Sequence, residues 1–471
     1  MPAPNSLHRS WPDYRAVWRW HFYAGIVCIP FVVILSLSGA VYLFKAEIEA
    51  WRERPYDSLA TEGSASPVSA QISATLAAFP GSRFEGYELP SAPGRAARIL
   101  VRDGSGESLR AYVDPRSLAV LGSVKERERF MKLVFRLHGE LLMGNRGSNL
   151  VELAACWTIV MVLTGLVLWW PRQLRGLAGV LYPRFHGGRR ILFRDFHAVT
   201  GVWISAFTLI LLFSGLPWAK FWGDSLKKVR QVTGTAVVRQ EWSNDGGRGA
   251  EGSMGRGAGG ETAGRGDHAG HGGGRLREAP AEFTANDLAA VDIVAAAVSP
   301  LGLDAPVVLA PAPGKAPGRW TAKSTTANRP RRVDLVIDGT SGAVISRSDF
   351  ASKHIIDKVV AVGIALHEGR LFGWPNQLLG LLTAMGLLIV CASALWLWLR
   401  RRDPGTLGAP PPGVSARRSV PLLIAVVGLG VLLPLFGLSL VAVLLLERLV
   451  LRQVPAARDW LGLVSTVRGK S

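Results

Sequence analysis

The chain has 471 residues and a formal net charge of +19, yet only 19% of its residues are charged and its apolar residues are gathered in blocks. That composition is one of a membrane protein. The positive charge would suit a nucleic-acid partner, but it is concentrated beside the apolar blocks, where the positive-inside bias accounts for it, so no nucleic-acid partner is expected.

Crossing about 30 Å of hydrocarbon takes roughly 20 apolar helical residues, because lipid satisfies no backbone hydrogen bond. In chain order, a short N-terminus (1–19) with Arg9, Arg15 and Arg19 leads into a first span at 20–44, whose apolar run is too long for a signal peptide. An outer segment (45–137) follows. It holds an Ala-rich helix at 69–78 and two strands over 112–122 joined by a turn that starts at Asp114. His138 opens the segment 138–171, whose charge-free run from Leu153 to Pro171 is the second span. The loop 172–195 carries Arg172, Arg175, Arg184, Arg189, Arg190 and Arg194, and the third span covers 196–219.

A second outer segment (220–366) contains a Gly-rich insert at 246–274, expected to be a disordered linker with His268 and His271 in it, then a helix at 287–298 and two strands over 335–345 turned at Asp338. His367 opens the segment 367–399, which includes the fourth span. A basic loop (400–418), a fifth span (419–446) and a tail (447–471) complete the chain. The basic loops place the N-terminus, 172–195 and 400–418 in the cytoplasm, and the long segments and the tail outside. Cys28, Cys156 and Cys391 all fall within spans, so no disulfide framework is expected, and no C-x-x-C-H motif attaches a haem covalently.

The halves repeat. His21-Phe-Tyr-Ala-Gly25 runs on to Ser38-Gly39, and His197-Ala-Val-Thr-Gly201 runs on to Ser214-Gly215, with 17 residues from His to Ser in both. His138 to Thr164 and His367 to Ser393 are both 26 residues apart, followed by Trp169-Trp170 and by Trp396 and Trp398. Each half reads as helix, small α+β outer unit, helix. Both halves enter from the same side, which makes them a parallel repeat about an axis along the membrane normal. The expected fold is a mainly α membrane protein: a duplicated four-helix transmembrane bundle plus a fifth helix, with two small α+β outer units.

Symmetry sorts four histidines into two pairs, His21 with His197 at the inner edge and His138 with His367 at the outer edge. A single interfacial histidine is more often a helix-end hydrogen bonder, but matched retention in both halves favours ligation. Two facing neutral imidazoles are the usual ligands of a b-type haem between helices, so two haems per chain are expected. Gly25, Gly201, Gly139 and Gly369 lie close to these histidines and would let a porphyrin approach. Arg19, Arg194, Arg136 and Arg370 are placed to pair with propionates. His8, His186 and His354 have no counterpart in the other half.

The His-x-x-x-Gly and Ser-Gly elements, Leu137-His138-Gly-Glu-Leu-Leu, Thr164-Gly-Leu-Val-Leu-Trp-Trp-Pro-Arg172, Arg194-Asp-Phe-His197 and Leu366-His367-Glu-Gly-Arg-Leu-Phe-Gly373 together resemble the PepSY-associated transmembrane family. The resemblance covers nearly the whole chain. It implies PepSY-like periplasmic units around Asp114 and Asp338, and four histidines as haem-iron ligands. Members tied to iron uptake are similar to di-haem ferric-siderophore reductases of the bacterial inner membrane. The resemblance therefore implies a haem-dependent oxidoreductase that passes electrons from a cytoplasmic or quinol donor to a periplasmic acceptor such as a ferric siderophore. No dinucleotide fingerprint supplies an NAD or flavin site. Two rival readings remain: a non-enzymatic envelope protein whose outer units restrain a protease or sense a signal, and a transporter.

Overall fold

The computed structural model describes residues 14–171, 176–235, 283–312, 318–411 and 420–463. His8, the insert at 246–274, His268 and His271 lie outside the described residues. Five helices are long and apolar enough to cross a membrane. Four of them are α1 (Tyr14–Leu43), α5 (Asn145–Trp169), α6 (Arg189–Gly215) and the helix Trp374–Arg401, which is α10 below. Their apolar side chains leave no water-facing stripe, as expected of helices solvated by lipid. Each packs against two of the others: α1 on α5 and α10, and α6 on α10 and α5.

Short helices enter α5 and α10. α4 (Phe130–Glu140) ends just past His138, and α9 (Ile355–His367) ends on His367. After each, the chain breaks at a glycine that caps the following span, Gly144 with φ 60° and ψ −135°, and Gly373 with φ 66° and ψ −142°. Only glycine adopts that conformation freely. A Cβ at either position would meet nothing within 4 Å, so the requirement is one of conformation and not of space.

The run at 419–446, expected to be one crossing, is two helices, α11 (Val420–Leu432) and α12 (Pro434–Leu446). Thirteen residues of α11 rise only about 20 Å. Pro434 has no N–H and disfavours helical geometry in the residue before it, and Leu433 accordingly leaves the helix at φ −122°, ψ 78°. The chain reverses there, tightly enough that a Cβ on Gly437 would lie 3.0 Å from the Gly430 carbonyl oxygen. At the tip, Leu432 O accepts the indole N–H of Trp222 on α7 (Lys220–Val232) at 2.9 Å. Leu433 and Phe436 are buried against Cys156, Ile159 and Leu216.

The tail was expected on the opposite side from the N-terminus, and the structure corrects this. Tyr23 donates to Leu461 O (2.6 Å), Arg19 donates to Gly462 O (3.0 Å), and Leu407 N donates to Trp460 O (2.8 Å). The short helix α13 (Pro455–Leu461) therefore shares an end of the bundle with Arg19 and with the loop after α10.

The two outer segments, expected as separate units, form one eight-stranded antiparallel sheet in the order β4-β3-β2-β1-β5-β6-β7-β8. Strands β1 (Arg83–Glu88), β2 (Ala97–Arg102), β3 (Ser108–Val113) and β4 (Val120–Lys125) come from the first segment. Strands β5 (Val307–Pro311), β6 (Arg319–Ser324), β7 (Asp334–Asp338) and β8 (Val344–Ser348) come from the second. The halves join where Tyr87 pairs with Leu309 and Glu88 with Val308. Helices α3 (Val68–Ala78) and α8 (Ala285–Val298) pack together. Their contact is tied by Ser69, whose N–H and hydroxyl donate to Asp292 (3.0 and 2.5 Å). Thr284 and Asp287 close a capping box at the start of α8. One core results, with Ile72, Ile99, Val294, Leu309, Trp320 and Ile337 fully buried in it.

The two turns correspond in detail. In β7–β8, Gly342 takes φ 71°; in β3–β4, a leucine, Leu118, is held at φ 61° in the same place. Both donate to the carbonyl of the turn-initiating aspartate, Gly342 to Asp338 (2.8 Å) and Leu118 to Asp114 (3.0 Å). A buried ionic cluster ties α2 (Lys45–Arg52) and the turn after it to the sheet. Arg98 bonds Glu53 (2.8 Å) and Asp57 (2.9 Å), Arg110 bonds Glu88 (2.7 Å) and Glu126 (2.5 Å), and Arg129 bonds Glu49 (3.1 Å) and Glu53 (3.2 Å). Burial alone would raise the Glu53 and Glu126 carboxyls. The Arg98, Arg110 and Arg129 guanidiniums override it and hold both below the usual range.

Candidate functional site

The four predicted histidines meet in two pairs. His21 on α1 faces His197 on α6 with ring centroids 6.2 Å apart and planes at 87°. His138 on α4 faces His367 on α9 at 6.2 Å and 81°. The two pairs are well separated: 17 residues of α1, about 25 Å of rise, lie between His21 and Ser38, the residue that touches His138.

In each ring, Nδ1 is already used. His138 Nδ1 meets Ser38 Oγ (3.0 Å), and His21 Nδ1 meets Thr164 Oγ1 (3.1 Å). His367 Nδ1 meets Ser214 Oγ (3.0 Å) and Leu211 O (2.9 Å), and His197 Nδ1 meets Val390 O (3.1 Å). Each hydroxyl proton is spent on its own helix, Ser38 donating to Ile34 O (2.7 Å), Thr164 to Val160 O (2.8 Å) and Ser214 to Leu211 O (3.1 Å). The two carbonyls can only accept, which puts the proton on Nδ1 of His197 and His367, and hydroxyls whose protons are so used accept from Nδ1 of His21 and His138, an assignment that leaves every Nε2 a lone pair. This tautomer follows from the bonding pattern.

A histidine nitrogen sits about 2 Å from a first-row metal, which with half a ring on each side places the centroids of two trans ligands about 6 Å apart. Both pairs have that spacing. Each pair could hold a metal, and a donor set of two neutral imidazoles with oriented Nδ1–H groups is one that would suit a haem iron. Among the described residues no group of three or more His, Cys, Asp and Glu comes together that could hold a metal ion by itself.

The glycines that touch the rings are not the ones nearest to the histidines in sequence. A Cβ at Gly39 would lie 3.1 Å from His138 Cε1, one at Gly165 3.2 Å from His21 Cε1, and one at Gly215 3.5 Å from His367 Cε1. Gly25, Gly139 and Gly201 have no neighbour closer than 3.7 Å. Gly369, at φ 70°, has the Leu43 side chain 2.9 Å from where its Cβ would be. Ser38-Gly39, Thr164-Gly165 and Ser214-Gly215 stood out in the sequence as repeat markers. Their adjacency to the rings had no sequence signal beyond that.

The predicted arginines are engaged in different ways. Arg19 donates to Pro410 O (2.5 Å) and to Tyr23 (2.9 Å), Arg194 pairs with buried Asp195 (3.1 Å), and Arg370 donates to Leu43 O (3.0 Å). Arg136 lies half-buried two residues before His138. Trp169 and Trp398 donate to the loop carbonyls Val180 O and Leu407 O (3.0 and 2.8 Å), and Trp396 stacks on Phe193 at 4.2 Å. His354, which has no counterpart in the other half, accepts the Ile356 N–H (3.2 Å) at the start of α9.

No curated protein matches this chain. The family model described as the PepSY-associated TM region matches residues 18–401, a stretch that holds all four histidines and the sheet and stops where α10 ends. Histidines, capping glycines and outer strands thus all fall within the matched region, and the chain belongs to the PepSY-associated transmembrane family.

Proposed function

We propose that the protein is a di-haem b-type electron carrier of the bacterial inner membrane that reduces a periplasmic acceptor, a ferric siderophore, during iron uptake. The observation that carries this reading is the pair of facing imidazoles, present twice at 6.2 Å, with every Nδ1 engaged and every Nε2 free. Each pair takes one histidine from each half. The common geometry of Gly144 and Gly373, and of the turns at Asp114 and Asp338, supports a duplicated bundle. The arginine-rich loops support a cytoplasmic N-terminus and a periplasmic sheet.

His21 and His197 would hold one haem, and His138 and His367 the other. A bound haem supplies reversible one-electron chemistry, at a potential set by ligand, hydrogen bonding and burial. The chain's own part is to fix the rings. Thr164, Ser38, Ser214 and the Val390 and Leu211 carbonyls hold each imidazole in the ligating tautomer, and Gly39, Gly165 and Gly215 let it lie against the neighbouring helix. Iron(III) is held by hard oxygen donors more tightly than iron(II), so reduction outside the membrane would release it from its chelator.

The test is spectroscopic. Detergent-purified protein from haem-replete cells should carry about two acid-acetone-extractable haems per chain, consistent with non-covalent b-type binding. His21→Ala and His197→Ala should remove the same spectral component, and the double variant should lose no more than either alone. His138→Ala and His367→Ala should behave likewise on the other component. A colourless folded preparation would sink the reading. Crossed loss, with His21 and His138 sharing one component, would overturn the pairing.

A further inference from the structure

The electron reading leaves the donor open, and the loop between α5 and α6 bears on it. Residues 176–188 are pinned from three directions. Trp169 at the end of α5 donates to Val180 O (3.0 Å), and Trp203 on α6 donates to Leu181 O (2.9 Å). Asp195, fully buried, accepts from Arg184 through its backbone N (3.0 Å), Nε (2.7 Å) and Nη2 (2.8 Å). The Trp203 bond fixes depth. Trp203 lies six residues beyond His197 toward the middle of the span, about 9 Å of helix rise, and an indole N–H reaches a carbonyl no more than about 9 Å from its own Cα. Leu181 O therefore sits no shallower than the inner histidine pair.

The loop presents apolar side chains on its surface beside α6: Leu177, Tyr182 and Phe185 are each more than half exposed, as suits a segment at the membrane interface. Together with Arg184, His186 and Ile191, Tyr182 and Phe185 line a cleft of about 560 Å³, within the size range of small-molecule sites. Its walls are aromatic and aliphatic, with one imidazole and one guanidinium. The His186 ring has no hydrogen-bond partner among the described residues, whereas Arg184 is held in place by Asp195. Phe185 lies edge-on to Phe196 at 6.5 Å, and Phe196 adjoins His197 in sequence.

We propose that this cleft binds the head group of a membrane quinol and is the electron-entry site, an inference that rests on the electron-carrier reading above. The ligand must be apolar enough to arrive through the bilayer, flat enough to lie against Phe185 and Tyr182, and must carry a hydroxyl that His186 can accept from. A quinol meets all three requirements. Its oxidation to the quinone gives up two electrons and two protons. The electrons would leave singly for a ferric haem held by His21 and His197, and the protons would pass one after the other to His186 and from it to water.

The full-length protein in detergent is irradiated with a short-chain azido-quinone, and the labelled peptides are mapped, with haem content measured on the same sample. Label on 178–191 that decylubiquinol competes away, and that falls at least tenfold in both His186→Ala and Phe185→Ala, supports the site. Exposed His186 offers a conservative control, and His186→Gln should retain part of the labelling. Label elsewhere, or label indifferent to both substitutions, overturns the proposal even if the protein is fully loaded with haem. Competed label on 178–191 in a protein without haem leaves the quinol site standing and removes the electron-carrier reading instead.

Discussion

Adding a methyl group at the ring-contacting glycines tests the site without touching a histidine. In Gly39→Ala the new Cβ would sit 3.1 Å from His138 Cε1, and in Gly165→Ala 3.2 Å from His21 Cε1, against an ordinary carbon–carbon contact of about 3.5–4.0 Å. The rings cannot simply swing aside, because the residue before each glycine holds Nδ1, Ser38 at 3.0 Å and Thr164 at 3.1 Å. Overpacking of this kind costs about 1–3 kcal/mol, and stretching the hydrogen bond adds up to about 1 kcal/mol. Replacing a helical glycine returns about 1 kcal/mol of propensity. The net expectation is a loss of up to about 3 kcal/mol on those figures. Gly25→Ala and Gly201→Ala, whose nearest neighbours are 3.7 and 4.0 Å away, should be neutral or gain up to about 1 kcal/mol. Unfolding in detergent followed by tryptophan fluorescence gives the stability. The visible spectrum gives the site, with Gly39→Ala disturbing only the component lost in His138→Ala, and Gly165→Ala only that lost in His21→Ala. Equal behaviour of all four variants, or disturbance of the opposite component, would refute the reasoning.

Three further outcomes are expected. A reporter joined after Ser471 should read cytoplasmic, as should reporters after Leu177 and Leu407, while one at Ser253 should read periplasmic; a periplasmic C-terminus would restore a single fifth crossing. Tyr23→Phe removes the hydroxyl that joins Arg19 to Leu461 O, costs about 1 kcal/mol, and should speed tryptic cleavage at Arg458, whereas unchanged cleavage would mean the tail is held by other contacts. Glu53 and Glu126 are depressed by their arginine partners, so they stabilise the sheet above the ordinary glutamate value of 4.5 and that contribution is lost as the pH falls below it. Acid titration followed through buried Trp320 should show the loss, and Glu53→Gln should flatten it.

The pairing of the histidines was legible because of what the repeated intervals measure. His21 and Ser38 sit on one helix, but Ser38 serves His138, and Thr164 on α5 serves His21. α1 and α6 thus each carry a histidine of one pair and the hydrogen-bond partner of the other, while α5 and α10 carry partners of the first pair, and the 17-residue interval from His to Ser is the spacing of two sites along a helix. The fourth member departs from this. Ser393 donates to Val390 O (3.0 Å), and His197 bonds that same carbonyl and not the serine. The reversal at Leu433 was hidden because hydropathy reads α11 and α12 as one long run. Pro434, between Gly430 and Gly437, was the available signal. The union of the outer segments was not legible at all, since only two residue pairs join β1 to β5 and strand periodicity carries no information about which edge meets which.

That junction also sets an order of events during synthesis. β1 ends at Glu88 and its neighbour β5 begins at Val307, nearly 220 residues later, with α5 and α6 made in between. At about 5–20 residues per second the first four strands wait roughly 10–40 s for their other half. Throughout that interval β1 presents an unpaired edge, and Ile72, Tyr87 and Ile99 lack the cover of α8 and β5. A nascent half-sheet of this kind is a template for mispairing, so the chain is most vulnerable to aggregation and to proteolysis midway through its own translation, before its second half exists.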